Sequence, residues 1–117
     1  MAKLLCVEAD EKVLKHQIAL FTKAGHEVSS ALGRKSAEQT MRSIEHDIVV
    51  LGHTLSRDDR HHLPYMAKKA NEDCAVLVLH NSGHHHAVDL ALDSRDGDHK
   101  VLAAVEELLA TQPVLSR

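Results

Sequence analysis

"IVVLGHTLS", residues 48–56, is the stretch whose reading decides the fold. Ile48 to Leu51 are four apolar residues in a row, the pattern of a strand covered on both faces by other layers. In open parallel sheets ligands bind just beyond the carboxyl ends of such strands. The residue at that end is Gly52, which has no side chain to offer.

Outward from this strand, strand and helix patterns alternate. Lys3 to Val7 is a short apolar run, and Asp10 then reads as the cap of a helix carrying Leu14, Ile18 and Phe21 at i, i+4 and i+7. Gly25 stops it. "GHEVSSAL" (25–32) predicts a second, more polar strand over His26 to Ala31, nearer an edge. Ser36 with Gln39 three residues on has capping-box spacing for a second helix, with Ala37, Met41 and Ile44 as its inward stripe. In "HTLSRDDRHHLPYMAKKANED" (53–73), Leu63, Met66, Ala67 and Ala70 share a helical face. Pro64 argues against a helix beginning much before His62, so a long loop and a shortened third helix are expected. Arg57, Asp58, Asp59, Arg60, His61 and His62 then read as a solvated mixed patch. "AVLVL" (75–79) is the clearest buried strand, "AVDLAL" (87–92) a weaker fifth, and Val101, Leu102, Val105, Leu108 and Leu109 mark a last helix with Asp98 as its cap.

Such alternation predicts an α/β fold of parallel strands joined by right-handed crossovers. One join is too short. Eight residues, His80 to Ala87, separate the fourth strand from the fifth, whereas a parallel crossover ordinarily takes about a dozen or more. The fourth helix is therefore expected to be missing or very short.

The 117 residues suit one domain, 1–112, with 113–117 as a loose tail. A net charge of −3, with 26% charged residues, points away from nucleic acid and membrane surfaces. No apolar run approaches the length of a membrane span, and a cytoplasmic location is the default expectation. Cys6 and Cys74 lack metal or redox spacing and read as buried free thiols. Aromatic residues are nearly absent, so the core must be aliphatic. There is no G-x-S-x-G, no glycine-rich phosphate loop and no cysteine paired with a histidine, and no enzymatic activity is expected.

The five strand signals, the length and the phrase "KAGHEVSSALGRKSAEQTMRSIEHDIVVL" (23–51) resemble the response-regulator receiver domain of bacterial two-component signalling. The match is close over residues 3–51 and extends to the second half in pattern only. The resemblance implies a flavodoxin-like, doubly wound five-stranded sheet of order 2-1-3-4-5. It also implies an acidic pair after the first strand and an aspartate ending the third, which together hold Mg2+ while the aspartate takes a phosphoryl group. Here the pair falls on Glu8 and Ala9, with Asp10 one place on, and the aspartate position is Gly52. The hydroxyl position of the fourth strand is His80, and no lysine stands near Ala91 or Leu92, where the fifth strand should supply one.

Phosphoryl transfer to a carboxylate needs an oxygen nucleophile, a cation held by oxygen ligands and a group on the phosphoryl oxygens. The expectation is thus an atypical receiver that is not phosphorylated on aspartate, binds no Mg2+ and acts through a signalling protein partner. Its fifth strand and last helix form the surface for docking or homodimerisation. Glu8 and Asp10 read structurally as a helix-start acid and an N-cap. The alternative is a histidine-based site at the strand ends that binds a metal or an anion, or senses pH. Eleven histidines are present, and His53, His80 and His84 are the candidate ligands for Zn2+ or Ni2+. Glu8, Asp10, His53 and His80 are the candidate binding residues.

Overall fold

Alternate residues of the central strands face opposite layers, and both layers are filled. The computed structural model describes residues 2–80 and 87–111. Strands β1 (Lys3–Glu8), β2 (Glu27–Leu32), β3 (Ile48–Leu51), β4 (Ala75–Val78) and β5 (Leu90–Ala91) form one parallel sheet of order β2-β1-β3-β4-β5. Helices α1 (Glu11–Lys23) and α4 (Asp98–Thr111) cover one face, and α2 (Arg34–Ser43) and α3 (Arg57–Ala70) the other. This is the flavodoxin-like order that the resemblance to receiver domains implies.

On the α1/α4 side, Leu4, Cys6, Ile48, Val50 and Leu77 pack with Leu14, Phe21, Val101, Val105 and Leu108. On the other side, Leu5, Val7, Val49, Leu51, Val76 and Val78 meet Ala37, Met41, Leu63 and Ala67. Each side is a continuous aliphatic layer, and removal of this area from water is the main stabilising term. Cys6 and Cys74 are buried free thiols, as expected, and burial pushes them up to about 12 and about 11, so both stay protonated and unreactive at neutral pH.

Several local expectations are corrected. Helix α3 begins at Arg57 and carries Pro64 inside it. Ser56 accepts from the Asp59 N–H and caps it, Asp58 and Asp59 complement the first turn, and Leu63 and Ala67 are buried beside Pro64. These gains outweigh the one helical bond a proline removes, to the Arg60 carbonyl. Its first two turns are also tied to α2 rather than freely solvated, since His62 Nε2 lies 3.0 Å from Glu38 and Arg34 lies 3.8 Å from Asp59.

Helix α2 starts at Arg34 after Gly33, without a side-chain cap, so Ser36 and Gln39 form no capping box. Gly33 takes φ +85°, a conformation that favours glycine. Ile44 lies just past the helix in extended backbone and is 41% exposed, off the inward stripe. At α4 the first helical N–H, from Val101, goes to the Gly97 carbonyl, which makes Asp98 the first helical residue. Its carboxylate instead meets His16 Nε2 of α1 at 2.9 and 3.0 Å.

Strand β5 is shorter than its sequence signal, and among the described residues no helix lies between β4 and β5. Asp89 anchors the short strand. Its N–H donates to the Val76 carbonyl, and its carboxylate accepts from the Val76 N–H and from Lys68 Nζ, both at 2.7 Å. The expected tail at 113–117 lies outside the described residues.

Candidate functional site

The parallel register pairs Val7 with Leu51, and the Gly52 N–H donates to the Val7 carbonyl at 2.9 Å. Glu8 and Gly52 are therefore neighbours at the carboxyl ends of β1 and β3, on the face that α1 covers. Glu8 is not a solvated helix-start acid. It is 0% exposed, and its carboxyl group fills the space in which a side chain at position 52 would begin: a Cβ on Gly52 would lie 1.8 Å from the Glu8 Cδ. The place beside Gly52 that a side chain would take holds a carboxylate from the adjacent strand.

Three donors converge on it. Thr54 donates its hydroxyl to Glu8 Oε1 at 2.6 Å and its N–H to the same oxygen at 3.2 Å. Gln17, buried on α1 between Leu14 and Phe21, donates its amide to Oε2. The Thr54 hydroxyl in turn accepts from the Ala9 N–H at 2.8 Å and the Asp10 N–H at 3.2 Å. One hydroxyl thus ties the β1–α1 loop, the β3–α3 loop and the buried acid together. Asp10 is the N-cap the sequence predicts, accepting from Lys12 and Val13 at 2.8 and 3.1 Å.

Burial raises the Glu8 pKa above its ordinary value, opposed by the two Thr54 hydrogen bonds and the charge of His53 and assisted by the charge of Asp10. The stability that Glu8 contributes is accordingly full below its ordinary value near 4.5 and is lost as the pH rises through its higher folded value. Urea unfolding of Glu8→Gln across the acid-to-neutral range should give a flatter profile than wild type, with the variant gaining relative stability toward neutral pH. A wild-type profile that rises relative to Glu8→Gln would contradict a raised Glu8.

His53 is exposed beyond Gly52, and His80 follows β4 at the same end of the sheet. Burial and the nearby Arg60 hold the His80 imidazole below its ordinary pKa, with Asp93 opposing and His53 and Arg95 adding to the shift. Both arginines have partners: Arg60 donates to the Leu55 carbonyl, and Arg95 clasps Asp93 at 2.7 Å. That clasp holds the Asp93 carboxyl at about 2. Among the described residues no group of three His, Cys, Asp or Glu side chains is placed to hold a metal ion. The third candidate ligand, His84, lies outside the described residues.

Sequence reasoning missed Gln17 and Thr54. A signal existed for Gln17, a polar residue three places after Leu14 and four before Phe21, on the apolar stripe of α1. Thr54 carries no such signal.

No protein-family model matches the chain, and no curated protein sequence matches it. Solved structures do match in backbone. A two-component response regulator from Clostridium difficile superposes with a TM-score of 0.82 at 17% identity, over 95% of this chain and 98% of that one. A CheY-like receiver domain protein from Methanospirillum hungatei gives 0.83 at 17% identity, over 94% of each chain. The response regulator TrrA from Thermotoga maritima, in complex with Mg2+-BeF, gives 0.80 at 16% identity, over 92% of this chain and 99% of that one.

The fold is that of a receiver domain. Within this receiver fold the strand ends carry a closed polar cluster of Glu8, Gln17 and Thr54. Among the described residues no helix is long and apolar enough to cross a membrane.

Proposed function

We propose that this chain is a receiver-type signalling module that works by protein–protein contact and takes up no phosphoryl group on a carboxylate at the end of β3. The observation that carries this reading is the Glu8 carboxyl group standing where a Gly52 side chain would begin. Gly52 brings no oxygen nucleophile, and the one carboxylate at that place is fully buried and already accepts three hydrogen bonds.

The same residues do not fit the Mg2+ that the receiver resemblance implies. Mg2+ takes a near-octahedral set of oxygen ligands and is commonly held by one or two carboxylates. Ala9 has no side-chain oxygen, Asp10 is engaged in capping α1, and both Glu8 oxygens face donors.

Signalling by contact leaves the α4/β5 side as the surface for a partner protein or a second copy. The histidine-based alternative is the less favoured reading, since the matching solved structures are receiver domains.

Incubation with acetyl phosphate and Mg2+, followed by intact mass measurement, tests the reading. The expected result is an unchanged mass. A stoichiometric, hydroxylamine-labile gain of one phosphoryl group would overturn it.

A further inference from the structure

We propose that the buried Glu8 carboxyl is a proton-operated switch for the loops at the strand ends, with Thr54 as the residue that passes its state on. This rests on the reading that the site accepts no phosphoryl group, and it names what the site responds to instead.

The geometry supplies partners for both protonation states. With Glu8 ionised, the carboxylate takes the Thr54 hydroxyl and N–H on Oε1 and the Gln17 amide on Oε2. The other end of that amide, Gln17 Oε1, is buried and has no hydrogen-bond partner among the described residues. An unmet buried acceptor is costly. When Glu8 takes one proton from solvent, its new O–H can donate to Gln17 Oε1 after the amide turns over. The acceptor is then satisfied, the amide NH2 takes the buried place that Oε1 held, and no charge stays buried.

The two states differ in what they do to Thr54. A hydrogen bond to an anionic oxygen is shorter and roughly twice as strong as one to a neutral oxygen. Ionised Glu8 therefore grips the Thr54 hydroxyl, whose oxygen also accepts from the Ala9 and Asp10 N–H groups. Neutral Glu8 loosens that grip, and the β1–α1 and β3–α3 loops feel the change together.

The groups that face Glu8 set its balance. Cys6 from β1 feels its charge as a buried neutral thiol, Asp10 before α1 disfavours ionisation, and His53 after β3 favours it. From α1 comes the neutral Gln17, and His80, at the end of β4, feels the charge of His53. The carboxyl is thus held between opposing influences, and burial sets it above the ordinary glutamate range. A switch of this kind needs two states separated by little free energy, each with its own partners.

The test is an NMR titration of the full chain with 13C-labelled glutamate carboxyl groups, read together with the amide shifts of Thr54, Ala9 and Asp10. The expected result is one shared midpoint, above the ordinary glutamate value, for the Glu8 carbon and all three amides. In Glu8→Gln the shared transition should vanish from the amides while the rest of the spectrum stays folded. Thr54→Val, which removes the hydroxyl but keeps the shape, should raise the Glu8 midpoint by about one pH unit, and Thr54→Ser should restore it. A Glu8 carbon that titrates in the ordinary range, or Thr54 and Ala9 amides that do not follow it, would overturn the switch. The mass measurement with acetyl phosphate is independent of this titration, so an adduct refutes the functional reading and an unshared midpoint refutes only the switch.

Discussion

Gly52→Asp, the substitution that places at position 52 the aspartate that the receiver resemblance implies, should destabilise the protein by about 3 kcal/mol or more. The backbone is not the obstacle, since Gly52 does not use a conformation that needs glycine. The obstacle is Glu8, whose Cδ and both oxygens lie within 1.9 Å of the new Cβ. To admit the new side chain, the Glu8 carboxylate must leave three donors, and two acids then compete for one enclosed space. Stripping a buried charge of its partners is among the few single changes that cost this much. Urea unfolding with an unchanged denaturant dependence checks the size of the loss, and adding Glu8→Ala should recover most of it.

Phe21→Ala should cost about 3–5 kcal/mol, the range for removing a buried phenylalanine. Phe21 is fully buried on α1 within the layer made by Leu4, Leu14, Ile48, Leu77 and Val105. The chain has only one other aromatic residue, Tyr65, which is exposed on α3. Aliphatic neighbours already held on the sheet cannot collapse into so large a space. The change should lower the urea midpoint strongly while leaving the Glu8–Thr54 cluster intact, visible as an unchanged Thr54 amide shift. An effect below about 1.5 kcal/mol would mean that the layer is far looser than close packing allows.

The fold was legible because it is written in short-range signals. Four apolar residues at Ile48 and again at Ala75 can belong only to covered strands, and Asp10 with Leu14 and Phe21 defines α1 from its cap to its stripe. Where a local rule misled, tertiary packing had overridden it: Pro64 lies inside α3 because Ser56 caps that helix and Leu63 and Ala67 bury it. Ile44 failed differently, since the helix ends one residue before it and the stripe loses its period there.

The site was legible in composition but not in arrangement. The receiver resemblance put an aspartate position at Gly52, and Asp10 could be read as a cap. That Glu8 turns inward to fill the space could not, because it depends on the register of β1 against β3, a contact between residues 44 positions apart in sequence. Thr54 was hidden for the same reason, whereas Gln17 stood in plain view as the polar member of an apolar stripe. The histidines drew attention by number, yet His16 and His62 are spent in separate pairs with Asp98 and Glu38.

A double-mutant cycle between positions 8 and 52 measures whether the Glu8 carboxyl occupies the room that Gly52 leaves. Gly52→Ala, Glu8→Ala and the double variant are compared with wild type by equilibrium urea unfolding. The account predicts that Gly52→Ala costs about 2 kcal/mol in the wild-type background and close to nothing once Glu8 is alanine, a coupling of about 2 kcal/mol. Equal costs in the two backgrounds would contradict it.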